Sequence, residues 1–158
     1  MKAKIAVLGG DGIGPEVVAE AVRVLEATAR LFGHEFTTTP VDFGGVAIDR
    51  HGDGLPPHTL AACLESDGVL LGAIGGPKWG PTAPVRPEPA LLRLRSELGV
   101  YANVRPIKVL PALRDASVIK PEILDGVDLV FVRELTGGIY FGKKSRVGDR
   151  AVDECAYT

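Results

Sequence analysis

The sequence predicts an α/β protein built around a parallel sheet, and three observations carry that expectation. Short apolar runs bounded by glycine, Ile5-Ala6-Val7-Leu8 and Val69 to Ile74, read as strands buried on both faces. Stretches with helical spacing of apolar residues lie between such runs. Strand and helix alternate along the chain, the pattern of parallel strands joined by right-handed crossovers.

After the first strand, Gly14, Pro15 and Glu16 form a helix start, with proline at the first helical position and an acid in the first turn. Val18, Ala21, Val22, Leu25, Ala29 and Phe32 then mark one helical face, and Gly33 ends it. A second strand is expected around Glu35 to Phe43, followed by a turn-rich stretch from Gly44 to Pro57, a helix near His58 to Ser66, and the buried strand Val69 to Ile74. Gly75 to Pro87 holds four prolines and three glycines, which makes it a long loop at a strand's C-terminal end, where open α/β sheets place their ligands. A helix from Pro87 to Leu98 stops at Gly99, and a strand spans Tyr101 to Ile107. Val127 to Val132, almost continuously apolar, is expected to be the most buried strand, with another strand near Gly138 to Phe141. The stretch from Lys143 to Thr158 is polar and shows no period.

Composition excludes several classes. The 158 residues carry 18 Lys+Arg against 20 Asp+Glu, a formal charge of −2, and are 46% hydrophobic. Such a chain can build one real core, and it lacks the basic field that would hold nucleic acid. The longest stretch without a charged side chain, Gly54 to Leu64, is far short of a membrane span and contains Pro56 and Pro57. The apolar run near the N-terminus is too short for a signal peptide, so a cytoplasmic location is expected. Cys63 and Cys155 stand apart, without disulfide or zinc spacing, and both are read as packing residues.

Two glycine motifs fail on inspection. Gly10-Asp11-Gly12-Ile13-Gly14 is not a G-x-G-x-x-G fingerprint, because Pro15 occupies the last position, and no strand ends in a ribose-binding acid at the expected distance. Gly137 to Lys143 imitates a Walker loop, yet Lys144 replaces the magnesium-binding hydroxyl and Ile139-Tyr140-Phe141 is strand material. The informative segment is the helix after the proline-rich loop. There Ala90, Leu94 and Leu98 share a core face, while Glu88, Leu91, Leu92 and Arg95 share another. Grease between two opposite charges suits a ligand with an apolar branch and an anionic group; it is equally the pattern of an amphipathic boundary. Arg105 lies in a strand and Arg133 at a strand's end, where a guanidinium calls for an anion. Three such arginines suggest a dicarboxylate clamp, with internal salt bridges, such as Arg133 with Glu134, as the alternative for each.

Six segments taken together resemble the 3-isopropylmalate dehydrogenases of the β-decarboxylating dehydrogenase family, which also contains isocitrate and homoisocitrate dehydrogenases. They are Gly10-Asp11-Gly12-Ile13-Gly14-Pro15-Glu16, Leu71 to Trp79, Arg86-Pro87-Glu88, Leu91-Leu92-Arg93-Leu94-Arg95, Asn103-Val104-Arg105-Pro106, and Val132 to Gly142. The resemblance runs in order from Ile5 to the end of the chain. Isocitrate and homoisocitrate enzymes carry Arg-Glu-Asn-Thr-Glu-Gly where this chain has Arg133-Glu134-Leu135-Thr136-Gly137-Gly138, and they lack the Glu with paired leucines on the helix.

That resemblance implies a non-Rossmann, isopropylmalate/isocitrate dehydrogenase-like fold, of which this chain is the N-terminal part of two domains. Residues 1–99 would open the coenzyme-side domain, and 100–158 would begin the second domain, including part of the arm that pairs in a homodimer. It implies oxidative decarboxylation of the small-molecule substrate 3-isopropylmalate with NAD and Mg²⁺ or Mn²⁺. By the same resemblance Arg95, Arg105 and Arg133 bind the malate carboxylates, Leu91 and Leu92 receive the isopropyl group, and Tyr140 helps protonate the enol. Gly75-Gly76-Pro77-Lys78-Trp79-Gly80-Pro81-Thr82-Ala83-Pro84-Val85-Arg86-Pro87-Glu88 lines NAD, with Glu88 beside the nicotinamide ribose. The lysine partner of the tyrosine, the metal-binding aspartates and the adenosine loop of the family lie beyond the position of Thr158. The chain alone is therefore expected to be inactive. Two other readings stand beside this one: a truncated, non-catalytic interaction module, and a related tartrate- or homoisocitrate-type dehydrogenase.

Overall fold

Strand β1 (Lys2–Gly10) runs through the middle of a three-stranded parallel sheet of order β2-β1-β3, with β2 at Glu35–Pro40 and β3 at Gly68–Ala73. The register places Val7 beside Pro40 on one side and Leu70 on the other. The structure, a computed structural model, describes residues 1–157. It divides into two compact units, Met1–Leu98 and the residues from Gly99 onward.

In the first unit the elements follow from the patterns described. Helix α1 (Gly14–Phe32) begins with proline in its first turn and ends at Gly33, which donates to the Ala29 carbonyl and whose left-handed φ of 64° turns the His34 N–H onto the same oxygen at 2.9 Å. It packs so closely on β1 and β3 that a Cβ at Gly72 would lie 2.9 Å from Val18 Cγ2 and 3.0 Å from the Gly14 carbonyl. The opposite face of β1 alternates correctly for a second layer: Ala6 and Leu8 point into a core with Phe43, Leu55, Cys63, Ala90 and Leu94. Cys63 comes from α3 (Pro57–Leu64), and Ala90 and Leu94 from α4 (Glu88–Glu97). Burying a leucine as completely as Leu94 stabilises by roughly 1.5–3 kcal/mol, which fixes the roll of α4 and so the direction its other face looks.

The stretch expected to be turn-rich, Gly44 to Pro57, contains a helix, α2 (Gly45–His51), with its C-terminus at Gly52 in the left-handed region. Its signature was present, since Arg50-His51 followed by Gly52 is a basic last turn and a stop signal.

The second unit departs further from expectation. Strands β4 (Ala102–Lys108) and β5 (Asp128–Glu134) pair antiparallel, Asn103 opposite Arg133 and Arg105 opposite Phe131, instead of continuing a parallel sheet. They are joined by a 3-10 segment, Pro111–Ala116, and a single-turn helix, α5 (Pro121–Leu124). Nor is β5 the most buried strand: every residue of it but Glu134 is exposed, because apolar residues specify a strand but its burial needs a covering layer, and the described residues of this unit supply none. Gly138 to Phe141 forms no strand. Gly138, at φ 72°, starts a reversal in which the Gly142 N–H reaches back to its carbonyl, leaving one isolated bridge from Gly138 to Ala156. The stretch that showed no period contains a hairpin, β6 (Lys144–Val147) with β7 (Arg150–Asp153), turning at Gly148. Cys63 is buried as expected, but Cys155 is exposed in the polar segment after the hairpin, so it is not a packing residue.

Candidate active site

On α4 the expected core face is buried at Ala90 and Leu94, but Leu91 of the other face reaches the core as well. Ala90 and Leu94 are buried, Leu91 and Leu98 pack against the rim of the core, and Leu92 and Arg95 are half-buried. Glu88 is exposed at the first turn, where an acid suits the helix dipole. Its own main-chain N–H, aided by the Arg86 guanidinium 3.1 Å away, holds the Glu88 carboxyl below the usual range against a smaller opposing effect of burial. Leu94 anchors from behind the helix that carries Glu88, Leu91, Leu92 and Arg95.

The loop that precedes this helix begins and ends at one place. Glu88 Oε1 lies 4.0 Å from where a Cβ of Gly75 would stand, so the thirteen-residue excursion closes on itself across its mouth. Lys78 and Trp79 sit in its one 3-10 turn, Pro77–Trp79. Lys78 Nζ pairs with Asp49 Oδ2 at 2.6 Å and stands 5.4 Å over the Trp79 ring. The Trp79 ring in turn lies against Gly45, where a Cβ would come within 2.5 Å of three ring carbons. These two loop residues thus dock on α2, which explains a glycine at that helix's first position.

Asp11, within the glycine motif, is the buried junction of this region. It is 4% exposed and accepts three main-chain N–H bonds, from Gly45 at 2.7 Å, Val46 at 2.7 Å and Gly75 at 2.8 Å. A buried carboxylate is tolerable when its oxygens are filled in this way. The only sequence signal for it was an acid at the end of a buried strand, beside glycines that let other backbone approach.

In the second unit the ladder puts Asn103, Arg105 and Arg133 on one face, since Asn103 stands opposite Arg133 and Arg105 follows two residues on. Arg105 Nε donates to Asn103 Oδ1 at 3.2 Å. The Arg133 guanidinium lies 5.3 Å from the centre of the Tyr140 ring, a cation–π arrangement that brings the expected acid and one expected carboxylate-binding group together. The salt bridge imagined between Arg133 and Glu134 is not formed: the Glu134 carboxylate accepts from the Thr136 hydroxyl at 2.6 Å and from the Thr136 N–H, and these bonds hold its carboxyl below the usual range. Arg105, Arg133 and Tyr140 are all exposed. The expected substrate groups thus form two sets, one on α4 and one on the β4-β5 face, each within its own unit.

Among the described residues no group of three His, Cys, Asp or Glu side chains is placed to hold a metal ion, so the Mg²⁺ or Mn²⁺ that the resemblance implies has no ligand set here. Among the same described residues no helix is long and apolar enough to cross a membrane.

Comparison with known proteins identifies the class. Residues 4–158 match the family described as isocitrate/isopropylmalate dehydrogenase. The chain belongs to that family. It is 59% identical to the 3-isopropylmalate dehydrogenase of Anaeromyxobacter dehalogenans, an alignment covering 99% of this chain and 46% of that protein. With the enzyme of the same name from Moorella thermoacetica it shares 57% identity, over 98% of this chain and 45% of the relative. The chain spans a little under half the length of these relatives. Among solved structures it is similar to a β-decarboxylating dehydrogenase from Thermococcus kodakarensis in its apo form, with TM-score 0.65 and 36% identity over 98% of this chain and 40% of that one. Isocitrate dehydrogenase from Methylococcus capsulatus gives TM-score 0.70 at 30% identity, covering 98% and 42%.

Proposed function

We propose that this chain is the N-terminal portion of an enzyme that, when complete, performs NAD-dependent oxidative decarboxylation of 3-isopropylmalate in leucine biosynthesis, as a cytoplasmic homodimer. In this reading residues 1–99 open the coenzyme-side domain and 100–158 begin the second domain and its dimer arm. The observation that carries the proposal is the α4 face, where Leu91 and Leu92 stand between Glu88 and Arg95 while Leu94 anchors the helix from behind. The names of the relatives support the same choice of substrate.

The chain's own residues have definable work in that reaction. Arg95, Arg105 and Arg133 hold the two carboxylates, and fixing a dianion at several points positions the alcohol carbon for transfer. Leu91 and Leu92 read the branched alkyl group by shape, because an isopropyl group offers nothing but apolar contact. Tyr140 gives the proton of its phenolic oxygen to the enolate carbon that has lost carbon dioxide, which yields the keto acid and leaves Tyr140 as the phenolate. The loop from Gly75 to Glu88 fits a nicotinamide ribose: it closes across its mouth, and there it presents an ionised, exposed carboxylate able to accept hydroxyl hydrogen bonds. NAD, when bound, supplies the hydride acceptor.

The test uses the complete protein, mixing it with 3-isopropylmalate, NAD and a divalent metal salt and following NADH and carbon dioxide together. Stoichiometric release of both is expected. A protein that oxidises isocitrate or tartrate faster than 3-isopropylmalate would overturn the substrate assignment.

A further inference from the structure

We infer that Asp11 is a positioning residue for the coenzyme: its carboxylate fixes the point from which the Gly75 to Glu88 loop is launched, and so sets affinity for NAD without touching it. The inference rests on the reading of that loop as the NAD site. Asp11 is held at the end of β1 by its own N–H, which donates to the Ala73 carbonyl at 2.7 Å, while its carbonyl accepts from Gly14 at 2.9 Å. The backbone that carries the side chain is thereby fixed at both its N–H and its carbonyl. One oxygen, Oδ2, takes the N–H groups of Gly45 and Gly75, and the other takes that of Val46.

Those three bonds join two pieces of backbone that the loop uses at its two contacts. Gly75 is the loop's first residue, with φ 92°, a conformation glycine alone adopts freely. Gly45 and Val46 open α2, the helix on which Lys78 and Trp79 dock through Asp49 and Gly45. Gly44 completes the arrangement: at φ 81°, a Cβ there would lie 2.7 Å from Asp11 Oδ2 and displace the carboxylate. One buried side chain therefore sets both where the loop starts and where its middle rests. A loop held at both points reaches its ligand with less conformational entropy left to lose.

The experiment is carried out in the complete enzyme. Asp11→Asn turns one acceptor oxygen into an amide donor of nearly the same shape, which leaves the Val46 N–H unpaired with the nitrogen at Oδ1, or the Gly45 and Gly75 N–H groups with it at Oδ2, and slackens the clasp in either case. Thr59→Val serves as the control: Thr59 is wholly buried and donates to the Asp42 carbonyl at 2.7 Å, away from the loop. For Asp11→Asn the KM and Kd for NAD are expected to rise about tenfold, with the KM for 3-isopropylmalate changed less than about twofold; Thr59→Val lowers the melting temperature but leaves both KM values alone. Unchanged NAD binding in Asp11→Asn, or equal losses for both substrates, overturns the inference. Should Asp11→Asn fail to fold, hydrogen exchange on the unaltered enzyme decides: a Gly75 amide protected without NAD supports the clasp, and one exchanging as fast as the exposed loop amides refutes it. An unaltered enzyme with no NAD-dependent activity would sink the reading of the loop and leave the exchange result to stand by itself.

Discussion

Replacing Leu92 by serine in the complete enzyme isolates the apolar half of the proposed substrate face. Leu91 packs against the rim of the core, so changing it would mix pocket and fold. Leu92, one position on, is half-buried on the same face and does not belong to that cluster. Losing the contact between its side chain and an isopropyl group costs about 1–3 kcal/mol in the transition-state complex. That corresponds to a fall of roughly 5- to 150-fold in kcat/KM for 3-isopropylmalate. Malate lacks the branch, so its kcat/KM should change by less than about threefold. The exchange of leucine for serine also lowers helix propensity by some tenths of a kcal/mol. Both substrates feel that loss equally, and it cancels in the ratio. Initial rates on the two substrates, measured side by side through NADH formation, give the comparison directly. Equal losses would refute the assignment of this face to the alkyl group, whatever the absolute activity.

Three further outcomes are expected. Tyr140→Phe should lower kcat by about a hundredfold or more while shifting the dissociation constant of 3-isopropylmalate by less than about threefold; a loss confined to binding would remove Tyr140 from the acid role. Leu94→Ala should cost about 2–5 kcal/mol in urea unfolding, since it opens a cavity behind α4, and a cost under about 1 kcal/mol would show that α4 is not anchored there. Asp42 is bonded to Arg50 at 2.6 Å and to His51 at 3.0 Å; the Arg50 bond foremost, against an opposing effect of burial, holds its carboxyl below the usual range. A folded value below the unfolded one, about 3.9, means that this stabilisation is complete at neutral pH and is lost as acid carries the protein down through the folded value. Melting temperatures recorded from pH 7 downward should therefore fall less steeply for Asp42→Asn than for the natural protein, and parallel curves would count against the linkage.

Local patterning made most of the first unit legible. The strand, glycine turn and helix from Lys2 to Phe32 follow from an apolar run, a proline at a helix start and a left-handed glycine at its end. The core face of α4 is legible from spacing, because Ala90 and Leu94 recur four residues apart; that Leu91 of the other face also packs on the core is not. Helix α2 was missed although its stop signal was readable; a seven-residue helix leaves little periodicity to detect. Asp11 illustrates a deeper limit. Its partners Gly45, Val46 and Gly75 are 34 to 64 residues away, and no local pattern reports a bond between a side chain and remote backbone. In the second unit the apolar run of β5 gave the strand correctly and its burial wrongly, since burial belongs to whatever layer covers a strand and not to the strand's own composition. The reversal at Gly138 was mistaken for a strand because Ile139-Tyr140-Phe141 are good strand formers, and the glycine before them overrode that preference.

The glycines where α1 crosses β1 and β3 have a consequence for how this sequence can drift. At Gly10, Gly14 and Gly72 an added methyl group would strike carbonyl oxygens, of Ala73 at the first and of Gly9 at the other two. A clash with a side chain can be relieved by shrinking that side chain elsewhere in the gene, but an obstructing main chain offers no such remedy. Second-site suppressors of substitutions at these three positions have almost nowhere to arise. Descendant sequences are therefore free to vary the helix and the strands around the crossing while inheriting its geometry unaltered.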